Sequence, residues 1–142
     1  MRLTQFTDYA LRLLIFAASH DRLVTIEETA DAYGISRNHL MKVASHLTRD
    51  GYLKAVRGRS GGLILAKPSS EIGLGEVVRS TEPDFAIVEC FGAADRCRIT
   101  ASCRLRGILA RATQAFLAEV DRHSLADLLL DPALLGLERP AA

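Results

Sequence analysis

The chain has 142 residues, 49% of them hydrophobic, with a formal net charge of +1 and three cysteines. That length suits one compact domain, or a small domain with an extension, and no stretch approaches the ~18–20 uninterrupted apolar residues that span a bilayer. Residues 1–8 have no apolar leader, so the protein is expected in the cytoplasm, where thiols stay reduced. No nucleophile–base pair, phosphate loop or paired carboxylates stand out, and an enzyme is not expected.

The small net charge hides an asymmetry. Residues 36–67 hold Arg37, Lys42, Arg49, Lys54, Arg57, Arg59 and Lys67 against Asp50 alone, a local charge of +6. The remaining 11 basic and 16 acidic residues leave −5 elsewhere. A basic block in an otherwise acidic chain is a footprint for a polyanion.

Residues 4–19 read as a helix. Thr4 is placed to cap it, and Phe6, Ala10, Leu13, Leu14 and Ala17 share one face. A second helix over 26–33 follows Thr25, with Glu27 and Glu28 in the first turn, where the helix dipole favours acids. Gly34-Ile35-Ser36 is a tight turn, with Gly34 suited to a left-handed cap. Ser36 is expected to cap a third helix over 36–50, with Leu40, Val43, Ala44 and Leu47 as its buried stripe. Helix, short glycine turn and helix make a helix-turn-helix.

Off that stripe lie Arg37, Asn38, His39, Lys42, His46 and Arg49. The N-terminal end of such a helix meets base edges, so Ser36, Arg37, Asn38, His39 and Lys42 are the expected DNA contacts. Arginine can pair bidentately with guanine and asparagine with adenine. His39 and His46 are read as part of this exposed basic face rather than as metal ligands. Residues 52–56 and 63–66 read as short strands joined by Arg57-Gly58-Arg59-Ser60-Gly61-Gly62. This is either an ordinary glycine turn or a wing whose Arg57, Arg59 and Ser60 reach DNA while its glycines let backbone approach the minor groove.

A fourth helix over 74–81 carries Leu74, Val77 and Val78. Residues 82–102 read as a long loop, a length that is usually functional or disordered. Ser102 is expected to cap a helix over 103–122 with Leu105, Ile108, Leu109, Ala112, Phe116 and Val120 in one stripe. Little of a winged-helix core is left for it to cover, so pairing with a second copy is the economical reading. Residues 125–130 read as a short last helix.

Cys90, Cys97 and Cys103 lie in or at the exit of that loop. An odd number of thiols cannot pair off completely into disulfides, and thiolates suit iron–sulfur clusters, zinc or copper(I). Zinc prefers four ligands, often in tight Cys-x(2–4)-Cys pairs, so a cluster with a ligand from elsewhere fits the spacing better. Three unliganded thiols remain the plain alternative. Cys103 at a helix N-terminus, with Arg96, Arg98, Arg104 and Arg106 nearby, favours thiolate.

Residues 1–18, 33–43 (Tyr-Gly-Ile-Ser-Arg-Asn-His-Leu-Met-Lys-Val), 55–62 and 97–105 together resemble the Rrf-type winged-helix iron–sulfur regulators, and within them the nitric-oxide-sensitive repressors. The similarity covers nearly the whole chain. It implies a mainly α homodimer with a winged helix-turn-helix domain over 1–82, a cluster-binding loop over 83–103, and a dimerisation helix with tail over 104–142. It further implies one cluster per subunit, 4Fe–4S with 2Fe–2S as the alternative, held by Cys90, Cys97 and Cys103. The fourth ligand is implied to be Asp8 of the partner subunit, with Asp8 and Arg12 as a switch pair. Members that use a histidine one turn after the third cysteine are matched less well, because that turn is Arg104-Leu105-Arg106-Gly107. The expected function is a repressor that releases operator DNA when nitric oxide attacks the cluster. The alternatives are a regulator sensing iron–sulfur or redox status and a zinc-stabilised constitutive DNA-binding protein.

Overall fold

The computed structural model describes residues 1–136, which form a mainly helical winged helix-turn-helix fold. Helix α1 (Gln5–His20) starts where expected, with the Thr4 hydroxyl accepting from the Thr7 amide at 3.3 Å. Ala10, Leu13, Leu14, Phe16 and Ala17 on α1 are buried, while Phe6 is only half-buried at the core's edge. Helix α2 (Ile26–Tyr33) opens with a reciprocal capping box between Thr25 and Glu28 and closes on Gly34 at φ 64°. That left-handed turn redirects the chain into α3 (Arg37–Arg49), which buries the anticipated Leu40, Val43, Ala44 and Leu47.

Ser36 holds the N-cap position of α3, but its side chain makes no capping hydrogen bond.

Strands β1 (Leu53–Val56) and β2 (Gly62–Leu65) pair antiparallel, Leu53 opposite Leu65 and Val56 opposite Gly62. The sequence did not reveal a third participant. Val24, in the α1–α2 connection, exchanges two backbone hydrogen bonds with Leu63, at 2.9 and 2.7 Å, and ties the wing's base to the core. This gives the glycines a structural role. A Cβ on Gly62 would lie 2.6 Å from the Val24 carbonyl oxygen, and one on Gly61 would lie 2.2 Å from that of Val56.

Helix α4 (Leu74–Thr81) buries Gly75, Val77, Val78 and Thr81. Its start is tied to the later chain, since Leu74 donates to the His123 carbonyl and Leu125 donates to that of Ile72. Residues 82–103 carry two single 3-10 turns, Glu89–Phe91 and Thr100–Ser102. Helix α5 (Arg104–Asp121) therefore begins one residue later than anticipated. Cys103, in an extended conformation, is its N-cap, and the Ser102 hydroxyl turns back toward the Ile99 carbonyl instead of capping.

Leu117 is the one residue of α5 that is fully buried, whereas Leu105 and Ile108 are more than half exposed. Arg79 of α4 pairs bidentately with Asp121 of α5 and holds that carboxyl below its ordinary pKa. A depressed carboxyl pKa stabilises the fold above its unfolded value, and the benefit is lost as pH falls through the folded one. The expected last helix is instead a 3-10 turn at Leu125–Leu128, followed by another at Pro132–Leu134. Leu125 and Leu135 join the core against α1, and the remainder of the 104–142 segment lies outside the described residues.

The wing's dependence on Gly62 is testable. Gly62→Ala forces Val24 and β2 apart and should cost ~1–3 kcal/mol, the range for overpacking a fixed site. Chemical denaturation should show this loss, while Gly136→Ala, whose added Cβ meets nothing within 4 Å, should leave the midpoint unchanged.

Candidate nucleic-acid interface and cysteine loop

The buried stripe of α3 turns the opposite side of the helix to solvent. Ser36, Arg37, Asn38, His39 and Lys42 are all exposed, as the sequence reading expected of a reading face. Two features were not anticipated. Arg37 donates to the Glu27 carboxylate of α2 at 2.7 Å, with both side chains more than half exposed. Met41, one turn beyond Arg37, is 58% exposed and places an apolar thioether amid this polar face. Its i,i+4 spacing from Arg37 was the available signal.

His46 does not belong to this face, which corrects the sequence reading. Its ring is half-buried, with Nε2 2.9 Å from the Ser80 carbonyl and Nδ1 2.7 Å from Arg49 Nη2. Phe6 packs edge-on against it at 5.3 Å. The partner lies 34 residues away in sequence, beyond the reach of local periodicity.

The wing tip projects Arg57, Arg59 and Ser60 into solvent, and none of the three makes a hydrogen bond or ion pair among the described residues. The Gly61 amide donates to the Gly58 carbonyl at 3.0 Å, and Gly58 adopts φ 115°, so the turn is closed by its own backbone. The exposed residues of α3 and the charged wing tip are chemically suited to duplex DNA, in which phosphate contacts fix position and base contacts fix sequence.

The cysteine loop is shaped by its acids. Asp95 accepts from the Cys97 amide at 2.9 Å and from the Thr100 hydroxyl at 3.2 Å, and Glu89 accepts from the Arg96 amide at 3.3 Å. All three thiols are free, Cys97 exposed and Cys90 and Cys103 half-buried. Cys103 sits where the first amides of α5 have no side-chain cap, which leaves the helix's positive end facing that sulfur's residue. Three reduced thiols on one accessible segment are chemically suited to hold a soft metal centre. Among the described residues, no three His, Cys, Asp or Glu side chains are gathered closely enough to bind a metal ion within one chain.

Asp8 lies in the first turn of α1 and is engaged by Arg12 through two hydrogen bonds, 3.0 Å from Nε to Oδ1 and 2.8 Å from Nη2 to Oδ2. The Arg12 guanidinium also lies 6.0 Å from the Tyr9 ring centroid and 5.9 Å from that of Tyr33. Burial raises the Tyr33 phenol above its ordinary pKa, with Arg12 opposing.

Fold and face together define a winged helix-turn-helix transcriptional regulator and not an enzyme. A model of the Rrf2 family, described as iron-dependent transcriptional regulators, matches residues 3–131, and the chain belongs to that family. Its fold is similar to that of CymR (YrzC), the global cysteine regulator of B. subtilis. The TM-score is 0.73 at 22% identity, over 90% of this chain and 95% of that one. It is similar also to T. potens IscR, with TM-score 0.72, 21% identity and 90% and 85% coverage. Staphylococcus aureus CymR matches at TM-score 0.68 and 20% identity, over 96% of this chain and all of that one. No described helix is long and apolar enough to cross a membrane.

Arg37 and Arg59 differ in their resting partners, and this separates their expected effects. Arg59→Ala should weaken operator binding and lower the salt slope by about 0.9 if one phosphate contact is lost. Arg37→Ala should cost ~1–3 kcal/mol at one base position if the contact is bidentate to guanine. Glu27→Gln, which frees Arg37, should tighten binding at low salt. Titrations at several salt concentrations measure all three.

Proposed function

We propose that the protein is a homodimeric repressor of the NsrR type, which binds operator DNA while it holds an iron–sulfur cluster and releases it on meeting nitric oxide. The observation that carries this reading is a loop with three free thiols, Cys90, Cys97 and Cys103, on an Rrf2-family DNA-binding fold. Those thiolates would hold the cluster, 4Fe–4S in preference to 2Fe–2S, and Asp8 of the partner subunit would supply the fourth ligand. When bound, the cluster supplies iron that a small diatomic such as nitric oxide can attack.

The chain's own residues explain why such a ligand could exchange. The Asp8–Arg12 pair is exposed, at 42% and 46% for Arg12 and Asp8 in turn. Exposed pairs contribute only about 0–1 kcal/mol, so Asp8 gives up little by leaving Arg12 and regains little by returning. Arg12, held beside two tyrosine rings, stays in place to receive it. Asp8 rides on α1, which packs against α3, so capture of Asp8 by the partner subunit's loop would bear on the spacing of the two reading helices. Two subunits should read half-sites roughly one DNA turn, about 34–36 Å, apart.

The exposed Leu105 and Ile108 of α5, next to the cysteine loop, would be covered by the second copy. Under this reading the protein works in the cytoplasm, where thiols stay reduced. Arg104-Leu105-Arg106-Gly107 offers no histidine, which favours this type over the IscR type.

The test is anaerobic purification of the full chain. A brown protein with visible absorption, bleached by nitric oxide together with loss of operator binding, is expected; a colourless zinc protein that binds constitutively overturns the reading. Cys90→Ala, Cys97→Ala and Cys103→Ala should each abolish the colour, because there is no spare thiol among the chain's three. Asp8→Ala should keep the three thiolate ligands but lose its cluster faster and switch less.

A further inference from the structure

The C-terminal end of α4 is where the cysteine loop begins, and it is bonded to both helices that matter for DNA binding. Two hydrogen-bonding residues make these links, and each satisfies a helix-end group with no partner in its own helix. The last carbonyls of a helix and its first amides lack intrahelical partners. Ser80 lies in the last turn of α4, and its carbonyl is met by His46 Nε2 of α3 at 2.9 Å. Because Nδ1 accepts from Arg49, Nε2 carries the donated proton. Asp50 Oδ2, 3.1 Å from the same nitrogen, and the edge of Phe6 fix the ring from two further sides.

Two residues on, Glu82 closes α4 and turns back to the start of α1. One of its oxygens, Oε1, accepts from the Thr4 amide at 2.7 Å and from the Thr4 hydroxyl at 2.9 Å. A carboxylate there also faces the positive end of α1. Pro83 follows at once and opens the cysteine loop. The last residue before the sensor segment therefore grips the helix that carries Asp8, and the carbonyl two residues earlier is gripped by the reading helix.

We propose that this joint, made by His46 with Ser80 and by Glu82 with Thr4, transmits the state of the cysteine loop to α3, with His46 and Glu82 as positioning residues. The inference rests on the cluster-dependent reading above. The core beneath α1, α3 and α4 is close-packed, so displacement of the loop's first residues moves the α4 end as a rigid piece. The two hydrogen-bonded links are half-buried connections at the edge of that core that can follow or break. Neither residue is offered as a DNA contact or a metal ligand. Glu82 has a resting partner in Thr4, and His46 is half-buried against Ser80, Asp50 and Phe6.

The experiment compares operator affinity of cluster-loaded and cluster-free full-length protein, for wild type, His46→Ala, Glu82→Ala, His46→Gln and Glu82→Gln. Couplings between sites typically span about 5–150-fold, and wild type should fall in that range. His46→Ala and Glu82→Ala should keep the wild-type visible spectrum and thermal transition while their loaded-to-free affinity ratio collapses to within about twofold of unity. Glutamine at 46 keeps an N–H donor and at 82 keeps an acceptor oxygen, so both should restore most of the ratio. Hydrogen exchange over residues 37–49 gives a second readout. Protection should depend on the cluster in wild type and be independent of it in the alanine variants.

Alanine variants that switch as fully as wild type overturn the joint alone. A wild type whose affinity ignores the cluster overturns the sensing reading itself. If the alanine variants unfold, the glutamine variants decide the matter, since a ratio at unity in both of them also overturns the joint.

Discussion

Burial of one face of α1 is the constraint on which the rest of the structure depends. Ala10, Leu13 and Leu14 are completely inaccessible, and Phe16 and Ala17 nearly so. Against that face pack the reading helix α3, the wing strand β2, the connector α4 and the two turns of the tail. Moving a fully packed helix by a fraction of a side chain opens voids that cost several kcal/mol, so α1 behaves as a fixed axle. Under the proposed function, whatever holds or releases its first turn would act on the DNA-binding head as a unit. This makes the placement of Asp8 and Thr4 on that turn consequential, although neither touches the reading face.

The fold divides its interactions by cost. Apart from Thr7, Thr29 and Thr81 the buried residues are apolar, and no buried side-chain nitrogen or oxygen among the described residues lacks a hydrogen-bond partner. Three of its ion pairs, Asp8–Arg12, Glu27–Arg37 and Arg79–Asp121, lie at the surface, where such pairs contribute little and can be exchanged for another partner. Two of them involve groups singled out for DNA or metal binding. Such pairs hold a side chain ready in the free protein without committing it. A regulator that must bind and let go is better served by these than by buried pairs, whose rupture strands a charge.

The helices were legible because their periodicity is local. Leu40, Val43, Ala44 and Leu47 announce α3, and Thr25 with Glu28 announces the start of α2 within four residues. What escaped the sequence was set by distant partners. His46 reads as surface until Ser80 is brought to it, and Val24 is one residue with no strand pattern until Leu63 lies beside it. Gly61 and Gly62 read as an allowance for DNA, but the nearest backbone is the protein's own. The slip from Ser102 to Cys103 at the start of α5 reflects a 3-10 turn that hydrogen-bonds the serine hydroxyl locally. The cysteines were readable as a set by their isolation in the sequence. Their proposed assembly with a fourth donor would depend on contacts that a single chain does not make, so no local pattern could have displayed it.

The tail's return to α1 bears on how the chain acquires its structure. The Leu130 amide donates to the Ser19 hydroxyl across 111 residues, and Leu125 and Leu135 complete the core that Leu13 and Leu14 begin. Synthesis proceeds at ~5–20 residues per second, so α1 emerges many seconds before the leucines that cover it. Until then its apolar face is open and the nascent chain relies on chaperones or on transient cover from α3 and α4. The last contacts also close a very large loop, the kind of non-local pairing that slows folding. The winged-helix head should therefore mature only after the cysteine loop has been made, so that a chain stalled before its cysteines cannot occupy DNA as a finished regulator.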